Sequence, residues 1–393
     1  MKLDAALAID AAHLRDVAGI VRAAEDIGFG ALWAPETQHN GFYPLVLAAE
    51  HSQRIELGTA VAIAFPRSPM VMAQNAWDLQ ALSRGRFILG LGTQVKAHIE
   101  RRYSTPWEAP VARLRDYIAA MRAIWHSWQT GDRLNYQGQF YQHTLMTPFF
   151  NPGPIDHPQI PIYIAGVNEG LARLAGEVCD GFHIHPFHST KYISDVVRPQ
   201  IAAGAASAGR TLVDVTLVSS AFVVTGRNDA ELDAMRTMAR EQISFYASTP
   251  TYRVVLACHG WEDIGEQLSR LAAMKRWSQM SALVTDEMLD VFTVQAPIDT
   301  IGAALRTRYE GILDRDVLAA RALEPRHEPR VDRAVVPLRQ QEHPVLALAG
   351  CGVVHDRTDH VPAARVDPAR ELPAAGEPVA AVDAVGMTGR KHE

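Results

Sequence analysis

The sequence predicts a (β/α)8 TIM barrel, an α/β fold, and three observations support this prediction. Short apolar stretches alternate with amphipathic helical segments, the alternation repeats eight times between residues 3 and 312, and no glycine fingerprint follows the first strand. Such alternation is typical of a parallel sheet covered by helices, and eight repeats suit a closed barrel. An open doubly wound sheet is the rival architecture, but it would carry that glycine fingerprint at residues 9–13.

The first βαβ unit is the clearest. Residues 3–9 are apolar and predict strand one, and apolar side chains recur at helical spacing over residues 14–27. Glycine follows at position 28 and ends the helix, and the Ala-Leu-Trp-Ala stretch at 31–34 predicts strand two.

The later elements follow the same alternation. We predict helices at 43–52, 69–84, 108–129, 168–178, 190–208, 229–247, 261–276 and 299–312, and strands at 55–64, 86–92, 160–165, 181–186, 213–225 and 289–295. The eighth barrel strand is therefore expected at residues 289–295.

Two insertions and a C-terminal tail interrupt this pattern. Residues 131–159 predict a hairpin and a proline-rich loop before strand five, and residues 245–260 form an aromatic insertion before strand eight. No Phe, Trp or Tyr occurs after Tyr309, and the periodicity is lost soon afterwards. We therefore predict a barrel domain over residues 1–317 and a disordered tail over residues 318–393.

Composition limits the partners that the protein can have. The formal net charge of the 393 residues is −6, which argues against a nucleic-acid partner. The three cysteines are far apart and form no CxxC pair, and no apolar stretch reaches the ~20 residues of a membrane span. We expect a cytoplasmic protein that acts on a small-molecule substrate, with no membrane or nucleic-acid partner.

Candidate proton-handling residues follow strand two. In a (β/α)8 barrel the reactive groups lie at the C-terminal ends of the strands. Glu36 and His39 occupy such a position and combine a carboxylate with an imidazole, so we predict that they are catalytic. The alternative is a solvated polar loop.

The ends of strands four and five are candidates for cofactor binding. Strand four ends in Gly92, Thr93 and Gln94, where small residues would let a planar ring approach the backbone, although Gly90 and Gly92 could instead relieve crowding inside the barrel. Strand five ends in Ala165, Gly166, Val167 and Asn168, and the start of the next helix could bind a phosphate. Ordinary capping of that helix explains Asn168 equally well.

The predicted strand six contains two histidines. His183 and His185 share one face of the strand, and such a pair would suit a metal-dependent hydrolase. No further ligand is evident at the other strand ends, so we predict no metal and expect His185 to contact the cofactor.

Five segments together resemble one known family. They lie at residues 55–61 (IELGTAV), 66–69 (PRSP), 81–93 (ALSRGRFILGLGT), 161–166 (PIYIAG) and 175–182 (AGEVCDGF). In this order they resemble the luciferase-like monooxygenase superfamily, particularly its branch that uses the deazaflavin coenzyme F420. The resemblance spans roughly residues 1–315.

The resemblance implies a cofactor site. The ring would lie over strands three and four and the phosphate near the loop after strand five, with a non-proline cis peptide at Ala60 and Val61 behind the ring. Glu36 matches the acidic residue that follows strand two in the F420-dependent branch, whereas Thr37 stands where several members have histidine. Val95 stands where some sugar-phosphate dehydrogenases of the family have a glutamate, so their proton transfer is not expected here.

The function we predict is F420-dependent hydride transfer to or from a small organic substrate, with Glu36 or His39 handling a proton. An FMN-dependent monooxygenase is the alternative within the same fold. A metal-dependent hydrolase and a binding protein without activity are rivals from other classes. A homodimer would fit the family resemblance, because dimers are common in that family.

Overall fold

The computed structural model describes residues 1–9 and 11–318. Eight long or medium strands and five short ones occur in this part of the chain. Their bounds are β1 Lys2–Ala6, β2 Ala31–Ala34, β3 Glu56–Thr59, β4 Ala62–Ile63, β5 Phe87–Gly92, β6 Tyr136–Gln137, β7 Gln142–His143, β8 Ile162–Gly166, β9 Gly181–Ile184, β10 Thr216–Ser219, β11 Phe222–Val224, β12 Thr293–Gln295 and β13 Arg315–Leu318.

The main sheet closes on itself. Its strands are parallel neighbours in the order β3-β2-β1-β13-β10-β9-β8-β5, and β5 pairs back onto β3 through Leu57 opposite Phe87. This is an eight-stranded barrel, and the predicted fold class is confirmed. The short β4 also pairs with β5, so it continues strand three after an interruption.

Helices surround the barrel. The α-helices are α1 Val17–Ile27, α2 Phe42–Glu50, α3 Pro69–Leu82, α4 Lys96–Arg101, α5 Pro110–Thr130, α6 Glu169–Val178, α7 Thr190–Tyr192, α8 Arg198–Ser207, α9 Asp229–Ala247, α10 Arg253–Ala257, α11 Glu262–Ala273, α12 Asp286–Phe292 and α13 Ile301–Tyr309. A π-helical turn at Ile193–Val197 joins α7 to α8 within the predicted helix 190–208. In the part of the chain that is described, no helix combines the length and the apolar character that crossing a bilayer requires.

The eighth strand was predicted in the wrong place. Residues 289–292 of the predicted strand belong to helix α12, and residues 293–295 form β12, which pairs with β11 in a separate two-stranded sheet. The strand that closes the barrel is β13, which pairs with both β1 and β10. Apolar periodicity cannot distinguish a short strand from the end of a buried helix. The strand β13 was missed because its first two residues, Arg315 and Asp316, are charged.

The charges of β13 are buried inside the barrel. The Arg315 guanidinium donates to the Asp4 carboxylate at 2.7 Å and to Glu56 at 2.6 Å, and the Trp33 indole N–H donates to Asp4 at 2.8 Å. Burial alone would lower the pKa of Arg315, but its hydrogen bonds and ion pairs with Asp4 and Glu56 raise it. Arg315 therefore stays charged, and it links β13 to β1 and β3.

The insertion before strand five contains the predicted hairpin, β6 and β7, and the Asp116 carboxylate of α5 makes several of the bonds that attach it. Asp116 accepts hydrogen bonds from the backbone N–H of Phe140 at 2.6 Å, the backbone N–H of Tyr141 at 3.0 Å and the Tyr136 hydroxyl. A Cβ at Gly138 would lie 1.9 Å from the same carboxylate, so the turn passes directly over it.

A larger helical insertion, which contains α9 to α12, lies between β11 and β12. The tail prediction concerns residues of which only Leu318 is described, as the last residue of β13. Residues 319–393 lie outside the described part, so that prediction stays a prediction.

Candidate functional site

Strand three is interrupted at the barrel mouth by a bulge. The peptide bond between Ala60 and Val61 is cis, as the family resemblance implied. Both residues are half-buried. The hydroxyl of Thr59 accepts the Gly90 N–H at 2.9 Å and donates to the Gly90 carbonyl at 2.7 Å. Where the bulge begins, the Thr59 side chain therefore makes the hydrogen bonds to β5 that strand backbone would otherwise make.

The predicted strand four is β5, and its two glycines, Gly90 and Gly92, are explained by packing against this bulge. A Cβ at Gly90 would lie 1.8 Å from the Thr59 carbonyl oxygen, and a Cβ at Gly92 would lie 2.5 Å from the Val61 side chain. Real Cβ atoms do not approach so closely, so only glycine permits this contact. Crowding, the alternative that the sequence left open, therefore accounts for both glycines.

Glu36 supports the far side of the bulge. Its carboxylate accepts the Ile63 N–H at 2.8 Å and both terminal nitrogens of Arg67, at 2.8 and 2.6 Å. Burial alone would lower the pKa of Arg67, but the hydrogen bonds and charge of Glu36 raise it. The carboxylate is a bidentate ion-pair partner that holds β4 in place.

His39 lies in a different environment from Glu36. The side chains of residues 37–39 are exposed, and the loop is attached to the end of α4 by the Arg102 guanidinium, which donates to the Thr37 carbonyl at 2.6 Å. The predicted catalytic pair is therefore one buried, bonded carboxylate and one exposed imidazole.

The end of strand four is a tight turn. Thr93 is buried and its hydroxyl donates to the Gln94 carbonyl at 3.2 Å. Gln94 has a left-handed backbone with φ +59°, and its side-chain oxygen accepts the Val95 N–H at 3.0 Å. Val95 itself is exposed.

The end of strand five combines small residues with a capped helix. Ala165, Gly166 and Val167 are half-buried. The Asn168 side-chain oxygen accepts the Leu171 N–H at 3.0 Å, which caps α6. The first residue of α6 is the exposed Glu169, whose carboxylate occupies the end of the helix that attracts anions.

His183 lies inside the barrel rather than at its mouth. Its ring packs edge-on against Trp33, with centroids 4.7 Å apart, and against Tyr163 at 5.6 Å. Burial lowers the pKa of His183 to about 3, and the charge of Arg315 adds to this effect. Its Nε2 atom is buried without a hydrogen-bond partner in the described part of the chain.

His185 lies at the end of β9 and contacts the helical insertion. Its Nδ1 lies 3.1 Å from the Phe187 N–H, and its Nε2 lies 3.2 Å from the Tyr252 hydroxyl. Burial lowers the pKa of His185 to about 3. Tyr252 is the partner that the sequence did not identify, although its insertion stood out as aromatic.

His188 fastens the same loop to the rest of the barrel. Its Nδ1 lies 2.9 Å from the His185 carbonyl and 3.2 Å from the Ser219 hydroxyl, and its Nε2 lies 3.2 Å from the Tyr309 hydroxyl. Burial lowers the pKa of His188 to about 4. The described residues contain no group of three or more His, Cys, Asp or Glu side chains that could hold a metal ion.

Four of the predicted site residues meet around one feature, and His185 lies at another strand end. Glu36, Ala60, Val61 and Gly92 meet around the bulge between strands three and four, where the apolar, half-buried Ala60 and Val61 suit a flat, uncharged ring. His185 lies with Tyr252 on the strand-six side, and His183 lies beneath the bulge, its Nε2 being 3.3 Å from the Cβ position of Gly90.

Comparison with known proteins agrees with this geometry. The family model for luciferase-like monooxygenases matches residues 2–315, from the first strand to the start of the last. The chain belongs to the luciferase-like monooxygenase family.

Two sequence relatives show the kinds of protein that the chain resembles. A Mycobacterium tuberculosis protein, uncharacterized protein Rv1360, is 46% identical over 315 residues, which cover 80% of this chain and 92% of the relative. The 5,10-methylenetetrahydromethanopterin reductase of Archaeoglobus fulgidus is 29% identical over 290 residues, which cover 72% of this chain and 82% of the reductase.

Solved structures share the fold. The coenzyme F420-dependent tetrahydromethanopterin reductase of Methanopyrus kandleri has a TM-score of 0.67 at 20% identity, over 81% of this chain and 93% of the reductase. A type II Baeyer-Villiger monooxygenase from Pseudomonas putida, in complex with FMN, has a TM-score of 0.56 at 14% identity, over 81% and 91% of the two chains. The luciferase-like family to which this chain belongs thus has F420-dependent oxidoreductases and flavin monooxygenases among its neighbours.

Proposed function

We propose that this chain catalyses hydride transfer between coenzyme F420 and a small organic substrate. The observation that carries the proposal is the bulge at Ala60 and Val61, which offers two apolar, half-buried residues at the barrel mouth and is held from behind by Glu36 and Thr59. Relatives named as F420-dependent enzymes support the choice of cofactor.

The residues that would hold the cofactor lie on neighbouring strand ends. Ala60 and Val61 would support the ring, with Gly92, Thr93 and Gln94 beside it on strand four. When bound, the deazaflavin supplies a carbon atom that gives or accepts a hydride, and the protein contributes orientation and electrostatics.

The phosphate of the cofactor is expected near Ala165, Gly166, Val167 and Asn168. The first-turn amides of α6 favour an anion, but the Glu169 carboxylate opposes it. Binding at this position therefore depends on how far the phosphate lies from Glu169.

Glu36 and His39 remain our candidates for handling a proton. His39 is exposed, so solvent reaches its ring. Glu36 would have to release Arg67 first, so its role in holding β4 is the better supported of its two possible roles.

Cofactor titration tests the proposal. Purified protein is titrated with F420 and separately with FMN, followed by fluorescence, and oxygen consumption is measured during turnover. Binding of F420 without oxygen consumption is the expected result. Tight FMN binding with oxygen uptake and no affinity for F420 would instead establish the alternative, an FMN-dependent monooxygenase, which the FMN-bound structural neighbour favours.

The cellular setting is also a proposal. We infer a cytoplasmic enzyme that acts on a small molecule and has neither a nucleic-acid nor a membrane partner, and that forms a homodimer. Size-exclusion chromatography with light scattering tests the last of these points.

A further inference from the structure

The helical insertion touches the end of strand six through a tyrosine and a histidine. The Tyr252 hydroxyl lies 3.2 Å from His185 Nε2, and the two rings pack with centroids 4.6 Å apart. His185 directly follows β9, so this pair lies at the end of the barrel where reactive groups are found.

The direction of this hydrogen bond follows from the other ring nitrogen. The Phe187 backbone N–H can only donate, so His185 Nδ1 must accept and carry no proton. In the neutral ring the proton is then on Nε2. His185 therefore donates to the Tyr252 oxygen, and the Tyr252 proton is not used in this bond.

The tyrosine ring is held in place, while its proton has no acceptor among residues 1–9 and 11–318. Its neighbours are the rings of His185, Tyr246 at 5.8 Å and Phe187 at 6.1 Å. Among the residues that the structure describes, His185 is the hydrogen-bond partner of the Tyr252 hydroxyl, and none of them accepts its proton. A positioned O–H donor thus lies at the mouth.

Both groups are neutral near physiological pH. Burial raises the pKa of Tyr252 to about 12, and burial lowers the pKa of His185 to about 3. The phenol keeps its proton and the imidazole keeps the tautomer described above.

We propose that Tyr252 is a catalytic residue that donates its proton to the oxygen or nitrogen of a C=O or C=N group in the substrate, and that His185 positions it. This inference rests on the proposed hydride transfer, and it identifies the substrate as a carbonyl or imine compound.

The step balances as follows. When bound, the reduced deazaflavin would supply the hydride that bonds to the carbon of the C=O or C=N group. The π electron pair moves to the oxygen or nitrogen, which takes the proton from Tyr252 as the phenol O–H bond breaks. The electron pair stays on the tyrosine oxygen, which regains a proton from solvent, so the substrate is reduced and the cofactor is oxidised.

His185 favours this transfer through its Nε2–H group. The hydrogen bond that it donates becomes stronger as negative charge develops on the tyrosine oxygen. It also keeps the phenol in a single orientation, which matters because proton transfer requires hydrogen-bond distance.

Tyr252→Phe tests the donor. The full-length protein loaded with reduced F420 is assayed against aldehydes, ketones and cyclic imines. A quinone serves as the comparison acceptor, because it is not a simple carbonyl. We expect kcat for the carbonyl or imine probe to fall about 100-fold, which is typical for loss of a general acid. The F420 dissociation constant should change less than about twofold, because the ring of residue 252 stays in place.

Tyr246→Phe is the matched control. Its ring packs against the same imidazole, with centroids 4.7 Å apart, so this variant also removes a tyrosine hydroxyl from the same insertion. We expect its kcat to stay near that of the wild type. Equal losses in the two variants would overturn the assignment of Tyr252.

The role of His185 has a readout that needs no turnover. Nitrogen-15 NMR of the imidazole should show a protonated Nε2 and a bare Nδ1 at neutral pH, and this pattern should be unaffected by F420. In His185→Phe the tyrosinate absorbance of residue 252 should appear at higher pH, because the N–H donor is gone. His185→Gln, which keeps an N–H donor, should restore part of the lost kcat.

The outcomes separate this inference from the proposed function. Absence of F420 binding would refute the proposed function, whatever the NMR pattern of His185. F420 binding without reduction of any carbonyl or imine probe would overturn the inference alone, as would a protonated Nδ1. If His185→Phe weakens F420 binding but leaves kcat unchanged at saturation, His185 contacts the cofactor and does not position Tyr252.

Discussion

Glu36 is best understood through the atoms that it contacts. Its carboxylate joins the Ile63 N–H and the Arg67 guanidinium, and the two charged side chains are only 9% and 17% exposed. Removing one partner of a buried pair leaves the other charge uncompensated, and this destabilises proteins by roughly 3–5 kcal/mol.

We predict that Glu36→Gln lowers the free energy of unfolding by ~3 kcal/mol, measured by urea denaturation. Arg67→Met should have a similar effect, and the double variant should be less destabilised than the sum of the two, because no unpaired charge remains. Additive losses would show that the two side chains do not act as a pair. The activity of the double variant then shows whether the Glu36 carboxylate is needed for chemistry.

Glu169 offers a test of where the cofactor phosphate binds. A negative charge in the first turn of a helix repels an anion placed at the same helix end. If the phosphate lies at the start of α6, Glu169→Gln should tighten F420 binding by about two- to fivefold at low salt and by less at high salt.

Fluorescence titration of F420 measures this effect. Glu262→Gln is the control, since it removes a first-turn carboxylate from α11. This helix belongs to the helical insertion and does not follow strand five. An unchanged dissociation constant in Glu169→Gln would place the phosphate elsewhere at the mouth.

At the scale of elements, the hairpin of β6 and β7 is attached to α5 chiefly through Asp116, with one further bond from Arg113 Nε to the Tyr141 hydroxyl at 2.8 Å. Asp116 accepts two backbone N–H groups and one hydroxyl, so Asp116→Ala would leave these donors without their partner. We predict faster amide hydrogen exchange over residues 136–143 and a loss of ~2–4 kcal/mol in local stability, with the barrel strands still protected.

Asp132→Ala is the control for the hairpin. Asp132 pairs with His126 at the exposed end of α5, and an exposed pair contributes little to stability. Exchange over residues 136–143 that is as fast in this variant as in Asp116→Ala would contradict the anchoring role of Asp116.

Sequence periodicity predicted most of the helices and strands, but it could not predict which strand closes the barrel. Helices such as α3, α6 and α9 and strands such as β2 and β5 have clear apolar patterns, and they were found within a few residues of their predicted bounds. β13 was missed because Arg315 and Asp316 look like surface residues, and only the distant Asp4 and Glu56 make Arg315 an interior one.

The site was predictable to a similar extent. Strand ends identify which residues reach the mouth, since the fold itself sets their position. The contacts between Glu36 and Arg67 and between His185 and Tyr252 join residues 31 and 67 positions apart, so no local pattern could reveal them.

At the scale of the whole molecule, buried histidines predict sensitivity to acid. The pKa values of His183, His185 and His188 are lowered to about 3, 3 and 4, mainly by burial, so these rings stay neutral while the unfolded chain takes up protons below pH ~6.5. Asp316 acts in the opposite direction, because burial raises its pKa to about 7. Of these four groups, the three histidines destabilise the fold on acidification and Asp316 stabilises it.

From these four groups we predict that the free energy of unfolding falls by ~2 kcal/mol per pH unit on average between pH 6.5 and 5, a net uptake of about 1.5 protons on unfolding. Urea denaturation at several pH values measures this slope. In Asp316→Asn the stabilising group is gone, so the slope should steepen by about one proton. A flat profile in the wild type would show that the histidines are not neutral in the fold.

Closure of the barrel requires the last described strand. A chain stopped after residue 312 lacks β13, so β1 and β10 each lose the partner on one edge, and Asp4 is buried without Arg315. We predict that this chain loses cooperative thermal unfolding, whereas a chain stopped after residue 322 keeps it, as measured by circular dichroism. Equal melting curves for the two would contradict an essential role for β13.

The pairing of β1 with β13 also affects how the protein is made. β1 can pair with β2 early in synthesis, but the partner of its other edge is translated more than 300 residues later, so nascent chains expose an open sheet edge until then. The closed barrel can therefore form only after β13 has been translated.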